Sequence, residues 1–444
     1  MSTISAVCLL LPTQPAWSHD GSPSERLVLI RDAETETLLH EFAVALYRAA
    51  GLNPNTVRIY VVRDPAINAF VGSGNRMFVH TGLLMRADSA LEVVGTMAHE
   101  TGHVLDGDIS RVPEQARETM LRSLGALLIA GAAGVASHNG GVGAGAALGG
   151  FSMAERQFLS FSRGQEAGAD DVATRILDRL GWSSRGLLHL FERLDDQNAL
   201  ISTHPDPFLL THPLTRDRID FIRRHVAESP QGDLPPRMNA AYLLVRAKLE
   251  GFLTAPASVL RAYPESDTSA PALYARAAAL HQMSERDASL AELSRLIAMQ
   301  PANPWFRELR GQVLFENGQA RDAAAAYQEA VRLAPDQALL HQALGQALME
   351  TGDPALLRPA LDQLEAARRR DPDDLDTWHL LGVAWGRLGD IGQANLALAE
   401  EAIRAGDIPM AKRFARMSAD SLPQGPAKLR ALDIGNAVRK ENRE

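Results

Sequence analysis

The sequence predicts two kinds of structure in one chain: an α+β domain over residues 25–230 and an all-helical repeat array over residues 238–440. In the first part, amphipathic helical patterns alternate with short runs of branched residues, which is typical of mixed α+β domains. The second part is rich in alanine and leucine and has few strand signals, which favours helices throughout.

Length and composition fit this division and exclude one class of partner. A chain of 444 residues is long for one domain, and its hydrophobic fraction of 46% can fill more than one core. The net charge is −9, and no basic stripe could neutralise a phosphate backbone, so we do not expect nucleic acid as a partner. The single cysteine, Cys8, excludes a disulfide within the chain.

Residues 1–24 are interpreted as a signal or a disordered segment. An apolar run extends from Ile4 to Leu11, and Ala16-Trp17-Ser18 offers small residues where a signal peptidase could cleave. No Lys or Arg precedes the run, although a secretory signal normally begins with basic residues. The pattern therefore also fits a truncated signal or a plain disordered terminus.

The α+β domain is expected to begin with a helix over residues 27–50 that ends near Gly51. Strands are predicted over residues 57–62 and 76–81, and the turn Gly72-Ser-Gly-Asn75 leads into the second of them. His80 lies on this second strand. A strand histidine without a partner at ligand spacing is interpreted as structural or as flanking a substrate.

One stretch, residues 91–109, combines metal-ligand spacing with a helical pattern. Its apolar residues recur at intervals of three and four, which predicts an amphipathic helix with one side turned to a core. His99 and His103 are four residues apart, so both imidazoles can reach one tetrahedral ion, and Glu100 is placed to polarise a metal-bound water. The alternative is a surface helix that carries two histidines and a glutamate by chance.

A third ligand is expected on a second helical segment, residues 162–180. Glu166 and Asp170 lie one turn apart on one side of this helix. We assign Glu166 as the metal ligand. Asp170 could accept the free ring N–H of a ligand histidine, or it could face the site as a proton donor. The alternative for both residues is an ordinary solvated helix face.

These motifs resemble those of the gluzincin proteases of the HtpX and CAAX prenyl protease type. The family's motifs, His-Glu-x-x-His and Glu-x-x-Ala-Asp, stand here at residues 99–103 and 166–170. Residues 68–84 are similar to the strand pair that leads into the catalytic helix, and Thr211-His212-Pro213 with Arg218 is similar to the segment that closes the domain. The resemblance covers about residues 25 to 230, and the helical tail makes it more specific to the BepA-like branch.

The resemblance implies a zincin-like fold and a zinc-dependent endopeptidase. One zinc ion per chain would be held by His99, His103 and Glu166, with water or His212 as the fourth ligand. Glu100 would act as the base, while Asp170, His212 or Arg218 would support the developing charge. His212 in the fourth position would hold the enzyme inactive. The alternative for His212 is a loop histidine buried against prolines. The strand over residues 76–81 would lie at the sheet edge and bind an extended peptide.

Residues 121–151 have the most unusual composition of the chain. The unbroken apolar part, residues 124–136, has 13 residues, fewer than the roughly 20 that span a bilayer. Its many glycines make a stable isolated helix doubtful. Proteins of the resembling family carry either membrane helices or a mobile flap here, so the resemblance implies a flexible hairpin that covers a cleft or touches a membrane surface without spanning it. A transmembrane hairpin is the alternative, and we interpret His138 as a loop residue. A helix is predicted over residues 186–194, followed by a loop over 202–213 that contains His204 and His212.

The C-terminal region shows the spacing of tetratricopeptide repeats. Pro301, Pro335 and Pro372 mark helix ends that are 34 and 37 residues apart, and 34 is the period of this repeat. Gly311 and Tyr327 are among the small and aromatic residues that would let two antiparallel helices pack. Stacked units of this kind leave a concave surface that suits extended peptides or partner loops. A purely structural cap on the first domain is the alternative.

The resemblance therefore implies an endopeptidase that acts on unfolded or misassembled proteins in envelope quality control. The repeats would recruit substrate or outer-membrane assembly machinery, and peripheral membrane contact is compatible with residues 121–151. The resemblance favours a periplasmic location, with a cytoplasmic or membrane-associated location as the alternative. The alternative function is a repeat-based chaperone or adaptor whose protease site is largely latent.

Overall fold

The computed structural model describes residues 28–72, 74–107, 153–200, 212–229 and 232–441. It divides into two compact units. The N-terminal unit holds Val28–Arg31 and Thr35–Leu249, and the C-terminal unit is built mainly from the residues after Leu249. The expectations for residues 1–24, for residues 121–151 with His138, and for His204 fall outside the described residues.

The N-terminal unit contains a small sheet and seven α-helices among the residues that the structure describes, together with a short 3-10 helix, Pro54–Thr56. The strands are β1 (Leu29–Ile30), β2 (Arg58–Val62), β3 (Ala69–Gly72) and β4 (Arg76–His80). The helices are α1 (Ala33–Ala50), α2 (Thr81–Arg86), α3 (Ala90–Asp106), α4 (Met153–Leu180), α5 (Arg185–Leu200), α6 (Arg216–Glu228) and α7 (Pro236–Leu253). The first helix therefore begins later than expected, because Leu29–Ile30 pairs with β2 as a strand.

The sheet has the strand order β1-β2-β4-β3. β4 is parallel to β2 and antiparallel to β3. The expectation that residues 76–81 form the edge strand is therefore wrong. Gly74 and Asn75 adopt φ angles of 77° and 56°, and this left-handed turn folds β3 back onto the side of β4 that was expected to be open. Within the described residues, β3 is the edge strand on this side.

Helix α3 lies in the interior of the unit rather than on its surface. Every residue from Ala90 to His103 is buried, including the polar ones. The sequence predicted an amphipathic helix, but α3 packs against α4, α5 and β3. Neighbours on several sides leave no solvent-facing side over these residues. The polar groups of this helix therefore lie in the protein interior.

Glycines allow the helices around α3 to approach at backbone distance. A Cβ at Gly102 of α3 would lie 2.8 Å from both Cα and the carbonyl oxygen of Ala169 in α4. A Cβ at Gly186 would lie 2.3 Å from the carbonyl oxygen of Leu91. Such distances are far inside van der Waals contact, and the atoms concerned are backbone atoms that cannot rotate away. Only glycine fits at these crossings.

We expect Gly102→Ala to destabilise the N-terminal unit by about 1–3 kcal/mol, because the added methyl group must push α3 and α4 apart. Chemical denaturation measured by circular dichroism tests this. Gly164→Ala in α4 is the matched control, since nothing lies within 4 Å of the Cβ that it would add. A Gly102→Ala protein as stable as the control would contradict the close crossing.

The C-terminal unit consists of helices throughout its described repeat region. After α7 they are α8 (Pro256–Ala262), α9 (Ala270–Gln282), α10 (Arg286–Met299), α11 (Pro304–Glu316), α12 (Ala320–Leu333), α13 (Ala338–Glu350), α14 (Leu357–Arg370), α15 (Leu375–Arg387), α16 (Ile391–Arg404), α17 (Ile408–Ser421) and α18 (Pro426–Glu441).

Successive helices of this unit pack as pairs in which a glycine faces a large side chain. A Cβ at Gly311 of α11 would lie 2.7 Å from the ring of Tyr327 in α12. Gly345 faces Leu364 in the next pair, and Gly382 faces Leu398 in the pair after that. The same contact thus recurs in three pairs, which is what a repeat array requires. None of the described helices of the chain has the length and apolar character needed to cross a membrane.

Candidate functional site

The two motif helices and the segment before α6 bring six polar side chains together in the interior. Helix α3 contributes three of them, α4 contributes two, and one precedes α6. All six are buried: His99, Glu100, His103, Glu166, Asp170 and His212. The surface-helix and solvated-face alternatives do not describe these residues.

Glu166 faces both histidines of the first motif. Its Oε2 lies 3.2 Å from Nε2 of His99, and its Oε1 lies 3.5 Å from Nε2 of His103. Ligand atoms around a tetrahedral zinc ion are about 3.3 Å apart, given zinc–nitrogen and zinc–oxygen distances near 2.0–2.1 Å. Glu166 is therefore separated from each motif histidine by a distance that fits a shared metal ion.

The donor atoms are also compatible with a cation. Oε1 of Glu100 is buried and makes no hydrogen bond within the described part of the chain. Ligand atoms of His99, Glu100, His103 and His212 all lie within 4.8 Å of one another. Glu166 also contacts both motif histidines. Both carboxylates, Glu100 and Glu166, thus adjoin the histidine cluster.

The charges in the site favour a cation as well. Burial by itself lowers the pKa of His99, but hydrogen bonds and negative charge from Asp170 and Glu166 outweigh it and raise that pKa to about 10. Burial would raise the pKa of Glu166, but the charge and hydrogen bond of His212 help to hold it well below its usual range. A metal ion would supply the positive charge that these carboxylates otherwise draw to the imidazoles.

A buried ion pair fixes the far side of His99. Oδ1 of Asp170 lies 2.9 Å from Nδ1 of His99. The guanidinium of Arg218 donates to both oxygens of Asp170, at 2.6 and 3.0 Å, and to the carbonyl oxygen of Pro213 at 3.0 Å. Its Nη1 is also 2.9 Å from Glu166 Oε2. Arg218 is therefore engaged on all three nitrogens.

Helices α5 and α6 together hold Arg218 beside Asp170. The side chain of Thr215 caps α6 and accepts a hydrogen bond from the backbone N–H of Arg218. The guanidinium lies 4.8 Å from the centre of the Phe191 ring in α5, over the ring face. The planar guanidinium can stack its face on an aromatic ring while the N–H groups in its plane bind a carboxylate. Arginine is better suited to this arrangement than lysine.

His212 joins the site from the loop before α6. Its Nδ1 is 3.2 Å from Oε1 of Glu166, and its Nε2 is 3.4 Å from Oε1 of Glu100. The imidazole is 1% exposed. It thus lies between the two carboxylates of the site.

Sequence reasoning missed three residues at this site. Gly102 stands inside the histidine motif, and a glycine in a helix interior is a sign of close packing. Phe191 supports Arg218, but nothing distinguishes it in the sequence from other apolar residues of its helix. Tyr47 of α1 is fully buried, and burial together with the charge of Glu100 raises its pKa to about 12.

Comparison with known proteins finds a separate family match for each of the two units. The model of peptidase family M48 matches residues 31–226, and a tetratricopeptide repeat model matches residues 260–415. A beta-barrel assembly-enhancing protease of Yersinia pestis is 27% identical over 392 residues, which cover 85% of this chain and 78% of that protein. The protein of that name in Escherichia coli K12 is 26% identical over 395 residues, covering 86% and 78%.

A third relative, metalloprotease LoiP of Escherichia coli K12, is 30% identical over 204 residues, which cover 45% of this chain and 74% of LoiP. The family resemblance inferred from the two motifs is confirmed, and so is the helical repeat array. The chain belongs to peptidase family M48, as a metalloendopeptidase whose α+β protease domain is followed by tetratricopeptide repeats.

Proposed function

We propose that this protein is a zinc endopeptidase that holds one zinc ion through His99, His103 and Glu166. The observation that carries the proposal is the position of the Glu166 carboxylate, 3.2 and 3.5 Å from the two Nε2 atoms of the histidine motif. Two imidazoles with one carboxylate form a donor set that zinc accepts in catalytic sites. Glu100 and His212 then remain available for chemistry and control.

A zinc ion in this position would supply Lewis acidity toward the peptide carbonyl and would activate water. Glu100 accepts the proton of the attacking water and delivers it to the leaving amine. His212, whose Nε2 lies 3.4 Å from Oε1 of Glu100, can donate a hydrogen bond to the charge that develops on the carbonyl oxygen. Both side chains are buried, which strengthens these interactions.

Asp170 and Arg218 act as positioning residues in this proposal. Asp170 Oδ1 lies 2.9 Å from Nδ1 of His99, where it would accept the Nδ1 proton and so present Nε2 to the metal. Of its two expected roles, the geometry favours this one over proton donation. Arg218 neutralises Asp170 and Glu166, and its engaged nitrogens leave it poorly placed to reach a substrate oxygen.

The first prediction from this site concerns metal content. His103→Ala should lose zinc, because two of the three proposed ligands hold the ion much less tightly. Asp170→Asn should weaken zinc affinity by about 10–100-fold, as a lost partner of a ligand histidine typically does. Elemental analysis and chelator competition measure both. His189→Ala, at an exposed position, is the control, and full zinc in His103→Ala would overturn the ligand assignment.

The second prediction concerns the base. Glu100→Gln should keep zinc and lose about 10²–10⁴-fold in cleavage rate, since the amide cannot accept the proton. Digestion of casein by the purified protein measures the rate. The control is Glu192→Gln, because Glu192 contacts Arg223 at the surface. An unchanged rate in Glu100→Gln would place the activity elsewhere.

The substrates that we propose are unfolded or misassembled envelope proteins. The name of the Yersinia pestis relative refers to β-barrel assembly, which supports a periplasmic enzyme that acts near outer-membrane assembly. An extended peptide would pair with the edge strand β3, which packs against α3. The repeats would recruit the substrate or the assembly machinery through their concave surface.

The second candidate function is a repeat-based adaptor whose protease site is latent. The position of His212 favours it. A ligand atom of this buried imidazole lies within 4.8 Å of the ligand atoms of His99, Glu100 and His103. In this state His212 would occupy the position that water needs. Activation would require the segment before α6 to move, driven by a partner that binds the open state more tightly.

His212→Ala separates these two roles. If His212 blocks the site, the variant should cleave casein faster than the wild type. If His212 supports the developing charge, cleavage should fall by about 10²–10³-fold. Zinc content is measured alongside, so that loss of metal is not mistaken for loss of chemistry. A variant that matches the wild type in rate and metal content would remove His212 from both roles.

A further inference from the structure

Three aromatic rings form a continuous row across the sheet of the protease domain. Tyr60 of β2 is the register partner of Phe78 in β4, and Phe78 is the partner of Phe70 in β3. The ring centres of Tyr60 and Phe78 are 5.1 Å apart, and those of Phe78 and Phe70 are 4.8 Å apart. The interplanar angles are 20° and 15°. We refer to these three stacked rings as the aromatic ladder.

The aromatic ladder lies on the sheet face opposite to three buried valines. Val61, Val71 and Val79, the residues next to the rings along each strand, point to the other face and are buried. The three rings themselves are partly exposed. Gly72 of β3 leaves them space, since a Cβ there would lie 3.2 Å from the ring of Phe78. Part of the aromatic surface of this row is therefore exposed.

The aromatic ladder ends at β3, an edge strand of the sheet that the described residues form. Phe70 is its last ring, and β3 pairs only with β4 among the described strands. Neighbouring strands in a sheet are about 4.8 Å apart. The ring spacings of 4.8 and 5.1 Å match this distance, because each ring stands above its own strand. One more strand on β3 would bring one more side chain into stacking distance of Phe70.

We propose that Phe70 selects substrate segments that place an aromatic side chain beside it as a fourth ring. This rests on the proposed function, in which an extended substrate peptide pairs with β3. Side chains of a strand alternate between the two faces, so only every second residue of the peptide can meet the aromatic ladder. The selected class is thus an extended segment that carries an aromatic residue on the face turned to the aromatic ladder.

This class fits unfolded outer-membrane proteins better than it fits an average unfolded chain. Strands of membrane β-barrels alternate apolar and polar residues and carry girdles of aromatic residues at both ends. Such a strand offers one aromatic or apolar face to the ladder without any further sequence requirement. A helical or flexible polar segment offers none. The fold thereby links the sheet edge to a substrate chemistry.

The experiment uses full-length Glu100→Gln protein loaded with zinc, which is expected to bind peptides without cleaving them. One extended fluorescein-labelled peptide is scanned with Phe or Ser at each position, and fluorescence anisotropy gives the Kd. We expect Phe to tighten binding about three- to tenfold at alternate positions. In Phe70→Val this preference should disappear, and Phe70→Tyr should retain it. Circular dichroism confirms that each variant is folded.

Tyr60→Val is the matched control, because Tyr60 lies two strands away from β3 and the Phe preference should survive its loss. Equal binding of the Phe and Ser peptides, or a preference that persists in Phe70→Val, would overturn the inference. Casein digestion by the wild-type protein is run in parallel. Cleavage of casein without an aromatic preference refutes only the inference, whereas failure to cleave any substrate refutes the proposed function.

Discussion

The close crossing of α3 and α4 at Gly102 is the constraint on which the site depends. His99 and His103 come from one helix and Glu166 from the other, so their separation is set by the distance between two backbones. With Gly102 against the backbone of Ala169, the carboxylate of Glu166 reaches both imidazoles. A larger residue at this position would move the third donor group away even if every ligand were retained.

Charged side chains are buried close to this crossing. Asp170 is 0% exposed and Arg218 is 4% exposed, and isolated charges at such positions would cost several kcal/mol each. They are tolerated because Arg218 forms two hydrogen bonds to Asp170 and also neutralises Glu166. The network holds His99 in one orientation at the same time. The contacts that offset the cost of burying these charges therefore also hold His99 in place for the site.

The C-terminal unit repeats one simple packing arrangement several times. In three of its helix pairs, the two helices of the pair are joined by a turn that contains a glycine at positive φ. These glycines are Gly318, Gly352 and Gly389. These glycines are separated by 34 and 37 residues, as are the prolines that mark the helix ends. Within each pair a second glycine faces a large side chain. Because each unit contacts mainly its neighbours, local sequence suffices to specify this part of the fold.

Local pattern determined much of this protein. The sequence by itself specified the α+β domain, the helical repeats, the histidine motif and the acidic residues of the second helix, because these depend on residue spacing along single elements. Only the tertiary structure decided the sheet order, the burial of α3, the engagement of Arg218 by Asp170 and the row of rings ending at Phe70. Each of these depends on which elements become neighbours. Residue spacing does not encode that choice, since it follows from packing over long sequence separations.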